Sequence, residues 1–524
     1  MATDIAIETR TITSVNPATQ ENLKTYPCAT ASEVQDAVAR AHIAQAAWNS
    51  SGIRKRIDAL QVFQRLLHER KSDVARVITR EAGKPYVEAL LTEVSVVLDA
   101  ARFLIENAAS LLRDQPVPHG NLAMKTKLGR LLREPYGVIG IISPWNYPFS
   151  IPSTESLAAL VAGNAVILKP SELTTMCAFE LQSLLHSAGV PKDAFQVLPG
   201  DGPTGVALLN SPLDKIVFTG SVPTGKRVAQ AAAARLLPAV LELGGKDPML
   251  VLRDADLDVA SSGAVWGAFV NAGQACLSVE RCYVDRTLYE AFSQSCARKA
   301  EQLRLGNGMD ENTDVGPLIH ERQLAIVESH VEDAVQRGAR VLTGGKRLSD
   351  LGPNFYAPTV LVDVTHEMRI MREETFGPVL PIMAFDSEQE AVRLANDSDF
   401  GLAASIWTRD SARGQALARQ IRAGTVMVND VVTCFGISEA PHGGVKASGL
   451  GRTHGSFGLE EMVWLKYVDS DRLPSLKKVW WYGYGAGFSR QMEGFVDLLF
   501  SNHAVAKCRG ALRSAGSYFR DRRL

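Results

Sequence analysis

The chain has 524 residues, 46% of them hydrophobic and 22% charged, with a formal net charge of -1. It is too long for one ordinary core and apolar enough for two or three lobes of an α/β enzyme, and its near-balanced charge excludes a global attraction to nucleic acid, leaving small molecules as the expected ligands. Seven widely spaced cysteines, an odd number with no CxxC, point to free thiols in a reducing compartment.

The N-terminus, Met1 to Asn16, carries Asp4, Glu8 and Arg10 and lacks the apolar run of a signal peptide, so a cytoplasmic protein is expected. From Ser32 to Leu112 apolar residues recur at helical steps, as in Val34, Ala37, Val38, Ala41 and Leu60, Phe63, Leu66, Leu67, which predicts helices. Gln115 to Gly120 reads as turn, and Met124 to Glu134 as part of an exposed hairpin before the strand Val138–Ile142. That strand ends in Ser143-Pro144-Trp145-Asn146-Tyr147-Pro148, an amide held between prolines in a stiff aromatic loop. Such an amide is either a fixed donor for a developing oxyanion or an ordinary turn asparagine.

Short β-rich runs then alternate with helical stretches at Ala165–Leu168, Ala194–Leu198, Lys215–Phe218 and Val240–Leu243, the mark of βαβ units and a parallel sheet. The first of these delivers Lys169 and Glu172 to its C-terminal end, where a carboxylate can accept ribose hydroxyls, although a solvated Lys/Glu pair reads the same way. Ile216 to Gly225 is a strand, a glycine turn at Gly220-Ser221 and a helix opened by Pro223. It offers N–H groups and a positive helix end to a phosphate, but the spacing from Gly220 to Gly225 is not GxGxxG, and an ordinary strand–helix turn also fits. In Leu241-Glu242-Leu243-Gly244-Gly245 a carboxylate between leucines is either a general base of raised pKa or a side chain facing water. Asn271 to Cys276 surrounds one thiol with small residues, as a nucleophile needs, whereas Cys177, Cys282 and Cys296 read as buried filler.

A second series of strands, Met249–Leu252, Arg281–Val284, Arg340–Leu342, Val379–Ala384, Ala404–Trp407 and Thr425–Asn429, predicts a second α/β lobe. Residues 471–524 change character, with ten Lys and Arg against four Asp and Glu, the aromatic cluster Trp480-Trp481-Tyr482-Gly483-Tyr484, and an apolar stripe at Phe488, Met492, Phe495, Val496 and Leu499. This tail either docks on the enzyme or a neighbouring subunit, or is an interfacial helix whose basic end, Lys507 to Arg523, favours an anionic membrane. Neither a spanning helix nor a metal site is expected, because long apolar runs and HxH or HExxH patterns are absent.

Taken in order, and with Glu373–Pro378, Ala423–Asn429, Pro441–Gly449 and the spacing from Glu242 to Cys276, these segments resemble the aldehyde dehydrogenase superfamily from about Val15 to Val468. The resemblance implies a Rossmann-type dinucleotide domain (1–118 and 137–244), an α/β catalytic domain (245–445), a small β oligomerisation element (119–136 and 459–470) and an appended tail (471–524). It makes Cys276 the nucleophile, Asn146 and the Cys276 N–H the oxyanion donors, and Glu242 the base. The cofactor site would comprise Lys169 and Glu172 at the adenine ribose, Gly220 and Ser221 near the pyrophosphate, Glu374 and Phe376 at the nicotinamide ribose and ring, and Trp145, Gly225 and Gly244 beside them. NAD⁺ is expected, with NADP⁺ tolerated. A homodimer or homotetramer is implied, and Glu242 favours hydrolysis over transfer to coenzyme A. Ala275, Leu277, Phe435 and Ile437 are apolar with no arginine beside them, so an uncharged aliphatic or aromatic aldehyde is expected. His442, where phenylalanine is frequent, and Thr453-His454 depart from the commonest family pattern.

Overall fold

The computed structural model describes residues 10–121, 124–475, 477–478 and 480–515, so the tail's Arg520, Arg522 and Arg523, like Asp4 and Glu8, lie outside the described residues. The chain divides into two compact units, Met1–Asp114 with Leu132–Lys466, and Gln115–Leu131 with Tyr467–Leu524.

In the larger unit an antiparallel pair, β1 (Thr11–Val15) and β2 (Asn22–Pro27), precedes the helices Ala31–Ser50, Gly52–Glu69, Lys71–Ala82 and Ser95–Leu111. The first helix starts at a capping box in which Thr30 and Glu33 satisfy each other's backbone N–H. The smaller unit contributes β3 (Gln115–Val117), a strand where the sequence reads as turn, which pairs antiparallel with β4 (Lys127–Pro135), Gln115 opposite Leu131. The alternating apolar runs that follow are β5 (Val138–Ile142), β6 (Ala165–Lys169), β7 (Phe195–Val197), β8 (Lys215–Thr219) and β9 (Ala239–Glu242). They pair parallel in the order β9-β8-β5-β6-β7, with Gly449–Leu450 antiparallel on β9. The strand order reverses beside β5, so the loops after β5 and β8 part and leave a crevice at the carboxyl ends.

The second sheet holds β10 (Asp247–Val251), β11 (Val279–Asp285), β12 (Arg340–Thr343), β13 (Thr359–Val362), β14 (Val379–Phe385), β15 (Ala403–Trp407) and β16 (Thr425–Val428). Their order is β12-β13-β14-β11-β10-β15-β16, parallel except for β12 on β13. Each sheet has its own core, one built on residues such as Phe63, Ile139 and Val217, the other on Met249, Phe292 and Leu380.

Strand Val463–Asp471 forms a three-stranded sheet with β4 and β3 and is its outer strand, with Trp464, Leu465, Tyr467 and Val468 exposed. In the smaller unit the tail's apolar stripe lies on the helix Ala486–Phe500. A second helix, Ala504–Ala515, which the stripe alone does not foretell, packs against it. The two helices approach so closely that a Cβ on Gly510 would stand 2.4 Å from the Gly494 carbonyl oxygen. Among the described residues no helix is long and apolar enough to cross a membrane.

Candidate active site

The loop after β5 is clamped from beneath. Lys84, itself paired with Glu93 at 2.6 Å, donates to the Asn146 carbonyl at 2.8 Å, and Asn271 Nδ2 donates to the same oxygen at 3.0 Å. The other Glu93 oxygen accepts the N–H groups of Phe149 and Ser150 at 2.8 and 2.9 Å. The Asn146 side chain is thereby fixed, with its Nδ2 donating to the Gln274 carbonyl at 3.0 Å. Neither Lys84 nor Glu93 is visible as a site residue in the sequence, because charges on a helical stretch normally face water.

Cys276 is delivered by an irregular turn. Asn271, Ala272 and Gly273 all have positive φ (52°, 55° and 73°), a conformation that is costly for the first two and is held by the Asn271 N–H donating to Glu88 at 2.9 Å. The backbone at Gly245 comes so close that a Cβ there would stand 2.2 Å from the Cys276 carbonyl oxygen. The half-buried thiol lies where three cavities meet: a channel of about 590 Å³, a crevice of about 500 Å³ and a chamber of about 20 Å³. Burial, followed by the carboxyls of Asp247, Glu374 and Glu242, pushes its pKa well up, so it rests as a thiol.

Glu242 ends β9 and lines both the crevice and the chamber. Both its oxygens are buried without a protein partner, and burial, then Glu155, raises its carboxyl far above the usual range.

The crevice gathers most of the residues that the sequence singles out. Asn146, Glu242 and Cys276 share it with Trp145, Gly244, Glu374 and Phe376, and Gly220 and Ser221 stand at its far wall, where Ser221 is the N-cap of the helix Val222–Ala233. Phe376 meets Trp145 edge-on at 5.4 Å, its N–H donating to the buried Glu280 at 2.8 Å. Glu374 accepts the Gly245 N–H at 3.0 Å, and burial with Glu280 pushes its carboxyl up to about 8. Gly225 lies outside the lining, packed so tightly that a Cβ would stand 2.4 Å from Leu243. Lys169, the last residue of β6, and Glu172 just after it, 3.6 Å apart, also lie outside it, the lysine buried and the glutamate half exposed. Arg322, Gln323 and Ile326 line the crevice without any advance signal, since their helix Glu321–Gln336 reads as an ordinary amphipathic one. An open helix N-terminus, close backbone approach at the glycines and a carboxylate beside an aromatic ring fit a dinucleotide.

The channel is walled by Tyr147, Ile151, Trp266, Leu277, Val432 and Phe435, and its single charged lining residue is Asp99. Among the described residues no group of three or more His, Cys, Asp or Glu could hold a metal ion.

The profile of the aldehyde dehydrogenase family matches residues 5–468. A Methylomonas protein named 4,4'-diapolycopene aldehyde oxidase is 39% identical over 94% of this chain and 92% of its own. A Mycolicibacterium smegmatis protein with the name "Putative succinate-semialdehyde dehydrogenase", specified for NADP(+), is 41% identical over 86% of each chain. Among solved structures, an NAD-dependent aldehyde dehydrogenase from Sinorhizobium meliloti superposes with a TM-score of 0.86 at 37% identity, covering 90% of this chain and 93% of that one. The NAD⁺ complex of an aldehyde dehydrogenase from Bacillus cereus gives 0.85 at 35% identity, over 88% and 93%. The chain belongs to the aldehyde dehydrogenase family, NAD(P)⁺-dependent enzymes that oxidise aldehydes to carboxylic acids.

Proposed function

We propose that this enzyme oxidises uncharged, apolar aldehydes through a thioester on Cys276, which Glu242 helps water to hydrolyse. The observation that carries the reading is the position of the Cys276 thiol at the junction of an apolar channel, a dinucleotide-shaped crevice and a small chamber bordered by Glu242. An aldehyde entering by the channel presents its carbonyl to Cys276, whose S–H proton passes to solvent water in the crevice, and as the C–S bond forms the carbonyl oxygen takes up charge. The Cys276 N–H and the clamped Asn146 amide stabilise that charge, each donor being worth about 3 kcal/mol of barrier. The bound dinucleotide supplies the hydride acceptor; Glu374, Phe376 and Trp145 would hold its nicotinamide end, Gly220 and Ser221 its phosphates, and Lys169 and Glu172 its adenine ribose. Glu242 then accepts a proton from water as the thioester is hydrolysed.

The channel supports the substrate class. Its volume is that of a pocket for a sizeable organic ligand, and its single charge is negative. A carboxylate-bearing semialdehyde, the substrate class named for the mycobacterial relative, would meet no cation in the described lining, where Asp99 is already paired with Arg102 at 2.8 Å; the aldehyde named for the Methylomonas relative is the nearer analogue. Initial rates over a panel of aldehydes with NAD⁺ and NADP⁺ test this. Uncharged apolar aldehydes are expected to exceed succinic semialdehyde in kcat/KM by at least about 10²-fold, about 2.7 kcal/mol, the low end of the cost of burying even an uncharged unpaired polar group; a preference for the semialdehyde overturns it.

The sheet β5–β9 is proposed as the dinucleotide domain, the sheet β10–β16 as the catalytic domain, and the exposed outer strand Val463–Asp471 as a contact between subunits of a homodimer or homotetramer, an apolar sheet edge being a pairing surface. In the tail, exposed Trp481, Tyr482, Tyr484, Phe500 and Leu512 accompany exposed Arg490, Lys507, Arg509 and Arg513, the aromatic and basic surface that the interfacial reading calls for. Co-sedimentation with anionic liposomes at low salt is expected; a protein that stays in the supernatant refutes it.

A further inference from the structure

Beside Glu242 lies the smallest of the three cavities, of about 20 Å³, room for a single water. Its polar walls include Glu155, Thr219, Glu242, His442 and His454, with Thr154 and Thr453 beside them, and Phe435 closes it, edge-on to His442 at 5.1 Å and to His454 at 4.6 Å. Glu155 Oε2, both Glu242 oxygens, His442 Nδ1 and His454 Nε2 are all buried with no protein partner. Glu155 belongs to the helix Ser150–Ala162, buried along its whole length, and its other oxygen accepts the Thr219 hydroxyl at 3.1 Å. Thr219 is in turn the register neighbour of Glu242 across β8 and β9. A carboxyl buried only for packing would have its bonds met; five unmet polar atoms around one water-sized space mark a bound water and its proton path.

We propose that this chamber holds the water that hydrolyses the thioester, and that Glu155 is a positioning residue: a neutral acid whose O–H donates to that water and holds it between the two carboxyls, leaving Glu242 to take the water's proton. This rests on the roles proposed above for Cys276 and Glu242. Two carboxyls in one dry space cannot both be charged, so the pair holds at least one proton between them. Burial raises both carboxyls, Glu242 far above the usual range and Glu155, opposed only by the Thr219 hydroxyl, up to about 8; a neutral Glu155 withdraws the charge that pushes Glu242 further up, and burial keeps the two histidines neutral, His442 pushed down to about 3 and His454 to about 4. The water oxygen bonds to the thioester carbon while one of its protons passes to Glu242. The C–S bond then breaks with its electron pair on sulfur, Glu242 returns the proton to that sulfur, and the released acid loses its own proton to solvent. Glu155 ends with the proton it began with.

The experiment compares E155Q and E155L by rapid mixing with NAD⁺ and a good aldehyde substrate. E155Q, neutral and able to donate, is expected to stay within a few-fold of wild type. E155L is expected to give a full burst of reduced cofactor and then a steady rate lower by about 10²-fold, since only hydrolysis is impaired. E155L turning over normally, or E155Q falling as far as E155L, overturns the proposal. An infrared band of a buried protonated carboxyl, present in wild type at pH 7 and lost in E155Q, is the second readout; its absence from wild type also overturns it. C276A separates the two levels: if C276A still turns over, the thioester reading itself is wrong, whatever Glu155 does.

Discussion

Replacing Lys84 by methionine tests whether the clamp beneath Asn146 matters. The Lys84 and Glu93 side chains are fully buried, 2.6 Å apart, and Lys84 also donates to the Asn146 carbonyl and lies 3.8 Å from the Tyr147 ring centroid. Removing the ammonium leaves the Glu93 charge buried with only the Phe149 and Ser150 N–H groups to solvate it. Stranding one member of a buried pair costs about 3–5 kcal/mol, a large share of a typical folding free energy of about 5–15 kcal/mol. Thermal and urea unfolding should therefore show K84M well below wild type. K84M/E93Q, which removes the stranded charge but keeps an acceptor for the two N–H groups, should recover about 2 kcal/mol. Because the clamp also sets the Asn146 amide, kcat should fall by about tenfold in K84M, part of the 10²–10³ that deleting an oxyanion donor costs. A loss of stability below about 1 kcal/mol, or a double variant no better than the single, would show that the pair is not the clamp described.

The buried histidines make stability depend on pH. His442 and His454 have folded pKa values near 3 and 4 against 6.5 unfolded, so below about 6.5 the unfolded chain binds protons that the native chain excludes. Their contribution is complete above that pH and is lost as pH falls, by up to about 1.4 kcal/mol per pH unit for each. H442F is expected to flatten the fall in melting temperature between pH 7 and pH 5 relative to wild type; an unchanged slope refutes the assignment. At the cofactor site, NAD⁺ should be preferred because Glu172 would repel a 2′-phosphate, but Lys169 stands 3.6 Å away and the carboxylate is half exposed. E172Q should therefore raise kcat/KM for NADP⁺ only about 1.4- to 5-fold, matching about 0.2–1 kcal/mol for an exposed charge. A wild-type enzyme that strongly favours NADP⁺ would place the ribose elsewhere.

Much of the fold is legible in the sequence because its strands are short apolar runs with helical stretches between them; the run Val138–Ile142 coincides with β5 to the residue. The strand Thr359–Val362 escapes notice because a threonine and three apolar residues after a proline carry no periodicity. At the candidate site, the glycine turns and the Cys276 segment stand out by residue type. Glu155 does not, since Ser150, Ser153, Thr154 and Ser156 make its helix look like a surface one although it is wholly buried. Lys84 and Glu93 are hidden for the same reason, as are Arg322 and Gln323, whose place in the crevice depends on tertiary packing. In the tail the stripe at 488–499 is readable, but Ala504–Ala515 is mixed in character and its helical pairing rests on two glycines far apart in sequence.

Glu242→Gln offers the most direct test of the chemistry proposed for Cys276 and Glu242. The substitution removes a carboxyl that raises the Cys276 pKa, so formation of the thioester should be no harder, whereas its hydrolysis loses the base. Mixed with NAD⁺ and an apolar aldehyde, E242Q should release about one equivalent of reduced cofactor per site and stall, with intact-mass and peptide analysis finding the acyl group on Cys276. Turnover at the wild-type rate, or a stalled enzyme with no acyl group on Cys276, would contradict it.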